Sequence, residues 1–180
     1  MPRWDVHLSF GLMAFIVIFS ALLMGSSDGR SLEGYARAAV LFGIVGLLGG
    51  GALVFGSVLP DIDGKGKVRW MVGPAVGALL FVPPLIGTFR SGGPSGAMEF
   101  IEGTGSLLFL LGTVVGYLLL LVPTRHRGIL HSKWTCAAYG SVWGVYVFYT
   151  ASMAFDQSMM IGSMGALGYG WHLALDGRLL

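Results

Sequence analysis

Apolar positions gather into six long stretches, running roughly over 8–25, 35–58, 70–89, 104–122, 134–154 and 158–175, with short polar connections between them. A helix needs about 17–25 mostly apolar residues to cross the hydrocarbon core of a bilayer. The pattern therefore predicts an all-α, polytopic membrane protein of about six transmembrane helices, forming a single integral-membrane domain over 1–180. Glycines recur four apart at Gly46/Gly50, Gly73/Gly77, Gly112/Gly116 and Gly140/Gly144. Small residues at that spacing let helix backbones approach closely in lipid. Arg3 precedes an apolar run that ends in Gly25-Ser26-Ser27, the order found in a signal peptide. At roughly 17 residues the run exceeds a usual signal-peptide core, and it is read here as the first span.

Composition strengthens the membrane reading. Of 180 residues, 54% are hydrophobic and only 11% charged, against about 25% charged in a soluble domain. Mean hydropathy is +0.76, so a soluble fold of this length would lack the polar groups to cover its surface. The same figures exclude disorder, and a net charge of +2 excludes a nucleic-acid partner, whose phosphates need many cations. A single cysteine, Cys136, permits no intramolecular disulfide.

Six spans place both termini and the second and fourth loops on one side. That side carries Arg3, Lys65, Lys67, Arg69, Arg125, Arg127, Lys133 and Arg178, eight of the eleven Lys and Arg. Cytoplasmic loops carry the excess of cations. The expected location is thus the cell (inner or plasma) membrane, with N- and C-termini in the cytoplasm. Trp4, Trp70, Trp134 and Trp171 fall near the cytoplasmic ends of spans, as an interfacial aromatic belt does.

All four histidines, His7, His126, His131 and His172, fall at that same face. Asp61 and Asp63 join them from Leu59-Pro60-Asp61-Ile62-Asp63, and Asp176 follows His172 by one helical turn. Singly, each residue reads as an interfacial side chain or a helix cap. Together they place costly carboxylates beside imidazoles at a membrane face. His plus Asp suits a divalent ion, Zn²⁺ first. Seven donors exceed one tetrahedral shell, which leaves room for one ion with outer partners or for two.

In order along the chain, these motifs are His7, Leu59-Pro60-Asp61-Ile62-Asp63, His126-Arg127-Gly128-Ile129-Leu130-His131-Ser132 and Gly168-Tyr169-Gly170-Trp171-His172-Leu173-Ala174-Leu175-Asp176. Over almost the whole chain this resembles the YdjM-like family of membrane-bound metal-dependent hydrolases. Two positions depart from the family pattern. Leu130 stands where Thr is usual before the second His, and Gly64 stands where a His often follows the second Asp. The resemblance implies a metal site built from the seven residues above, and a hydrolytic activity.

The chemistry expected of such a site is hydrolysis of an amphiphilic substrate at the headgroup level, most plausibly a phospholipid or other lipid-phosphate ester. Asp61, Asp63, His126 and His131 are the candidate catalytic residues. Either aspartate fits the role of bridging ligand or of base. Arg125 and Arg127 are candidate substrate-binding residues, because guanidinium forks suit phosphate oxygens; they also obey the positive-inside rule, which explains them equally well. Ser132 fits a substrate contact or nucleophile, although an N-cap for the fifth span explains it more simply. Two alternatives stand beside the enzyme. A transport or metal-handling protein would carry ionisable groups near mid-bilayer, and spans two to five have almost none there. A non-catalytic membrane protein would hold a structural metal in a closed ligand set.

Overall fold

The computed structural model describes Val6, Ser9, Gly11–Met13, Ile16 and residues 32–60, 68–120 and 129–177. Among the described residues the regular structure is entirely helical. The helices are α1 (Leu32–Val58), α2 (Val68–Phe100), α3 (Ser106–Leu119), α4 (Lys133–Thr150) and α5 (Phe155–Leu175). A π-helical turn, Ile101–Gly105, joins α2 to α3, and a 3-10 turn, Ile129–His131, precedes α4. They coincide with five of the six apolar stretches, whereas the first stretch lies mostly outside the described residues.

One helical stretch, Trp70–Leu118, is long and apolar enough to cross a membrane. It is not a single rod. Gly93 adopts φ 64°, ψ −158°, a conformation open to glycine and strained for other residues, and Gly103 departs from helical geometry ten residues later. The chain doubles back there, so that α3 packs antiparallel on α2. Gly73 faces Gly116 and Gly77 faces Gly112, each pair so close that a Cβ on the α3 glycine would sit 2.8 Å from the opposing Cα. Two of the four-apart glycine pairs are thus the two halves of one interface.

α5 is the central helix. It runs antiparallel to α4, where Gly140 and Gly144 press on Gly162, Ala166 and the Ser158 carbonyl. It runs parallel to α1, with Gly49 against Met164, Gly56 against Gly165 and Gly168 against Leu53. The buried core lies among these three helices, with Leu48, Ala52, Leu53, Trp143, Val147, Ile161 and Met164 at its centre. Successive helices therefore alternate in direction. The C-termini of α1, α3 and α5 meet the N-termini of α2 and α4 at one end.

Prolines tie the two groups of helices together. A proline donates no N–H, so the carbonyl four residues earlier loses its helical partner. Pro84 frees Leu80 in this way, and Pro74 frees Trp70. Tyr146 of α4 donates its hydroxyl to the Leu80 carbonyl at 2.7 Å, and Tyr117 of α3 donates to the Trp70 carbonyl at 3.2 Å. Where water is scarce, a side-chain hydroxyl is the available substitute donor.

Large apolar side chains also cover the outside. On α3 alone, Leu107, Leu110, Leu111, Val114, Val115 and Leu118 are exposed. At the end where α1 stops, Trp70 and Trp134 are 76% exposed and Trp171 45%. Trp4 lies outside the described residues.

Candidate metal centre

Local sequence explains how each donor reaches that end. Ser132 has an extended backbone, and its hydroxyl accepts from the Thr135 N–H at 3.1 Å, capping α4. The cap fixes the start of α4 directly after His131. At the other side, Gly177 with φ 69° stops α5, and its N–H bonds the Ala174 carbonyl at 3.0 Å. This is the glycine-terminated helix end, and it leaves Asp176 as the C-cap.

His131, His172 and Asp176 converge there. One donor atom from each lies within 4.8 Å of the others. Nε2 of His131 and Nε2 of His172 each lie 3.6 Å from the same oxygen, Asp176 Oδ2. The two imidazole rings meet edge to face at 5.4 Å between centroids. All three side chains are almost completely buried; that of Asp176 is 2% exposed. On the far side of its ring, Nδ1 of His172 is 2.9 Å from the Ser57 carbonyl. A carbonyl only accepts, so Nδ1 carries a proton, and Nε2 is the ring atom that faces Asp176.

These residues could hold a divalent ion. Ligating histidines almost always donate their second ring N–H to a carbonyl or carboxylate, as His172 does to Ser57. Two nitrogens and a carboxylate oxygen form a known zinc donor set. Ligand atoms held 2.0–2.1 Å from a tetrahedral ion are roughly 3.3 Å apart, close to the 3.6 Å of each His–Asp176 pair, in a set whose donor atoms lie within 4.8 Å of one another.

Of the ten candidate site residues, the structure brings three together, and Ser132 sits beside them as a helix cap. His7, Asp61, Asp63, Arg125, His126 and Arg127 lie outside the described residues. The chain leaves the described part at Pro60 and re-enters at Val68, both at the site end. Glu99, Glu102 and Asp156 lie away from the cluster, exposed near the opposite end. Three further contributors were not among the candidate residues. Ser57 acts through its main-chain carbonyl. Gly11 packs on Ser57, where a Cβ would meet the Ser57 Cβ at 3.0 Å. The Tyr169 hydroxyl donates to the carbonyl of Leu130. Only the Tyr169 position, inside the Gly-Tyr-x-x-His motif, offered a sequence signal.

Comparison with protein-family models, with curated proteins and with solved structures finds no match to this chain.

Proposed function

We propose that the protein is a six-helix membrane hydrolase whose metal centre works at the cytoplasmic headgroup level on a phospholipid or other lipid-phosphate ester. The convergence of His131, His172 and Asp176 at one end of the bundle carries the reading. Outward-facing leucines and valines suit a lipid-facing surface, and exposed Trp70, Trp134 and Trp171 support an interfacial depth for the site. The motif resemblance adds His7, Asp61, Asp63 and His126 to the donor set. Chain connectivity favours Asp61, which directly follows buried Pro60.

A divalent ion, Zn²⁺ first, would supply Lewis acidity, lowering the pKa of a bound water to about 7 and polarising a phosphoryl oxygen. The protein's own part is to orient His172 through the Ser57 carbonyl, to keep bulk water from it, and to offer cations to a phosphate. Arg125 and Arg127 are the proposed phosphate contacts.

Elemental analysis of purified protein is the first test. The wild type should hold a divalent ion that His131→Ala, His172→Ala and Asp176→Ala lose, while Glu102→Ala retains it. A panel of phospholipids and lipid phosphates in detergent, with and without chelator, then tests turnover. Chelator-insensitive hydrolysis would sink the metal mechanism. The near-complete burial of the three donors favours a second reading, a structural metal. That reading predicts a bound ion with no open coordination position and no turnover across the panel.

A further inference from the structure

We infer that Tyr169 is a positioning residue for the metal centre, holding His131 at the site through the main chain of its neighbour. The assignment rests on the metal reading above and extends it to a residue with no donor role. Tyr169 is fully buried on α5, three residues before His172. Its hydroxyl reaches across to the carbonyl of Leu130, the residue before His131 in the 3-10 turn. His131 therefore has two local restraints: the Ser132 cap that starts α4 on one side, and the Tyr169 hydroxyl on the other. His172 is held on the same helix as Tyr169 and anchored to Ser57 of α1. One helix thus sets the positions of both imidazoles, directly for His172 and through a main-chain carbonyl for His131. A carbonyl carries no identity in the sequence, so this link survives only if a donor is built on the opposing helix. A short 3-10 turn has few internal hydrogen bonds of its own, and needs such an outside restraint more than an α-helix does.

Neighbouring Tyr139 provides the control. Its ring lies 5.9 Å from that of Tyr169, and its hydroxyl donates to the Ala52 carbonyl at 2.9 Å, tying α4 to α1 with no link to the turn. The experiment measures Co²⁺ affinity and the visible ligand-field spectrum of the full chain in detergent, for wild type, Tyr169→Phe and Tyr139→Phe, with thermal unfolding alongside. Groups that orient metal ligands typically contribute about 10–100-fold in affinity. Tyr169→Phe should bind Co²⁺ at least about tenfold more weakly, with altered bands. Tyr139→Phe should match wild type in both, even where its unfolding temperature falls. Wild-type affinity and spectrum in Tyr169→Phe would overturn the assignment while leaving the metal reading intact. Equal weakening in both variants, or failure of Tyr169→Phe to fold, would make the hydroxyl a general packing element and overturn it as well. A wild type that binds no Co²⁺ would remove the metal reading and this inference together.

Discussion

Gly168→Ala probes the parallel contact of α1 and α5 on which the site depends. A Cβ at Gly168 would run into the Leu53 carbonyl oxygen and lie 2.7 Å from its carbon and 2.9 Å from Leu53 Cα. The obstacle is backbone, so no side chain can rotate away. The carbonyl oxygen is the nearest obstacle, so bringing that Cβ out to ordinary contact requires the helices to separate by well over ~1 Å, a shift that a close-packed interface resists. Ser57 lies one turn beyond Leu53 on α1, and His172 one turn beyond Gly168 on α5. The same separation stretches their 2.9 Å hydrogen bond to roughly 4 Å, past the working limit. Overpacking costs about 1–3 kcal/mol and the lost bond about 1, while replacing a helical glycine returns up to about 1. The net expectation is a loss on the order of 1–3 kcal/mol together with weaker metal binding. Unfolding in mixed micelles followed by tryptophan fluorescence reads the first, and Zn²⁺ competition the second. Two alanine variants calibrate the result. Gly170→Ala would meet only Cys136 Sγ at 3.7 Å, and Gly51→Ala nothing within 4 Å, so both should be neutral or mildly stabilising. A Gly168→Ala protein as stable as Gly170→Ala would refute the close parallel packing and the route from it to the site.

Three further outcomes are expected. Tyr146→Phe should destabilise by about 1–3 kcal/mol, because it strands the Leu80 carbonyl that Pro84 has already deprived; in a double-mutant cycle, Pro84→Ala should make the hydroxyl largely redundant, and additive effects would disprove the pairing. Reporter fusions should place residues 64–68 and the C-terminus in the cytoplasm and 92–98 outside; finding both loops on one side would end the six-span proposal. Arg127→Lys should slow lipid-phosphate turnover more than Lys67→Ala, since lysine cannot bind phosphate with a fork, and equal effects would assign Arg127 to topology alone.

Helix positions were legible because apolar length and helix length are nearly the same quantity in such a chain. The stretches 35–58, 134–154 and 158–175 match α1, α4 and α5 to within four residues at each end. The 70–89 stretch ends three residues before Gly92, after which Gly93 breaks α2. The helical residues beyond that break, up to Phe100, went unmarked, since hydropathy reports polarity and not backbone conformation. His172 and Asp176 were legible as an i, i+4 pair, and His131 joined them through the parity of the spans. The supporting groups were not legible. Ser57 contributes a carbonyl, which every residue has. Tyr146 and Tyr117 serve carbonyls 66 and 47 residues away, and the prolines that create the need give no hint of where the donor comes from.

The parallel pairing of α1 and α5 also supports the proposed cation centre at this end. The last four carbonyls of a helix lack intrahelical donors, and together they carry about half a negative charge. α1 stops at Val58 and α5 at Leu175, so two such ends meet around the cluster. The Asp176 carboxyl, the C-cap of α5, sits at the same place. α4 begins at the same place with the opposite polarity, but the Ser132 hydroxyl already accepts one of its free N–H groups. The fixed dipoles of α1 and α5 thus favour a positive ion before any side-chain ligand is counted. Register decides whether they do so together. A slip of one turn, about 5.4 Å along the axis, would keep apolar faces in contact yet part His172 from Ser57. Leucine against leucine would tolerate such a slip. Gly56 seated on Gly165 and Gly168 seated on Leu53 would not, because each glycine accepts the neighbouring backbone at one height only.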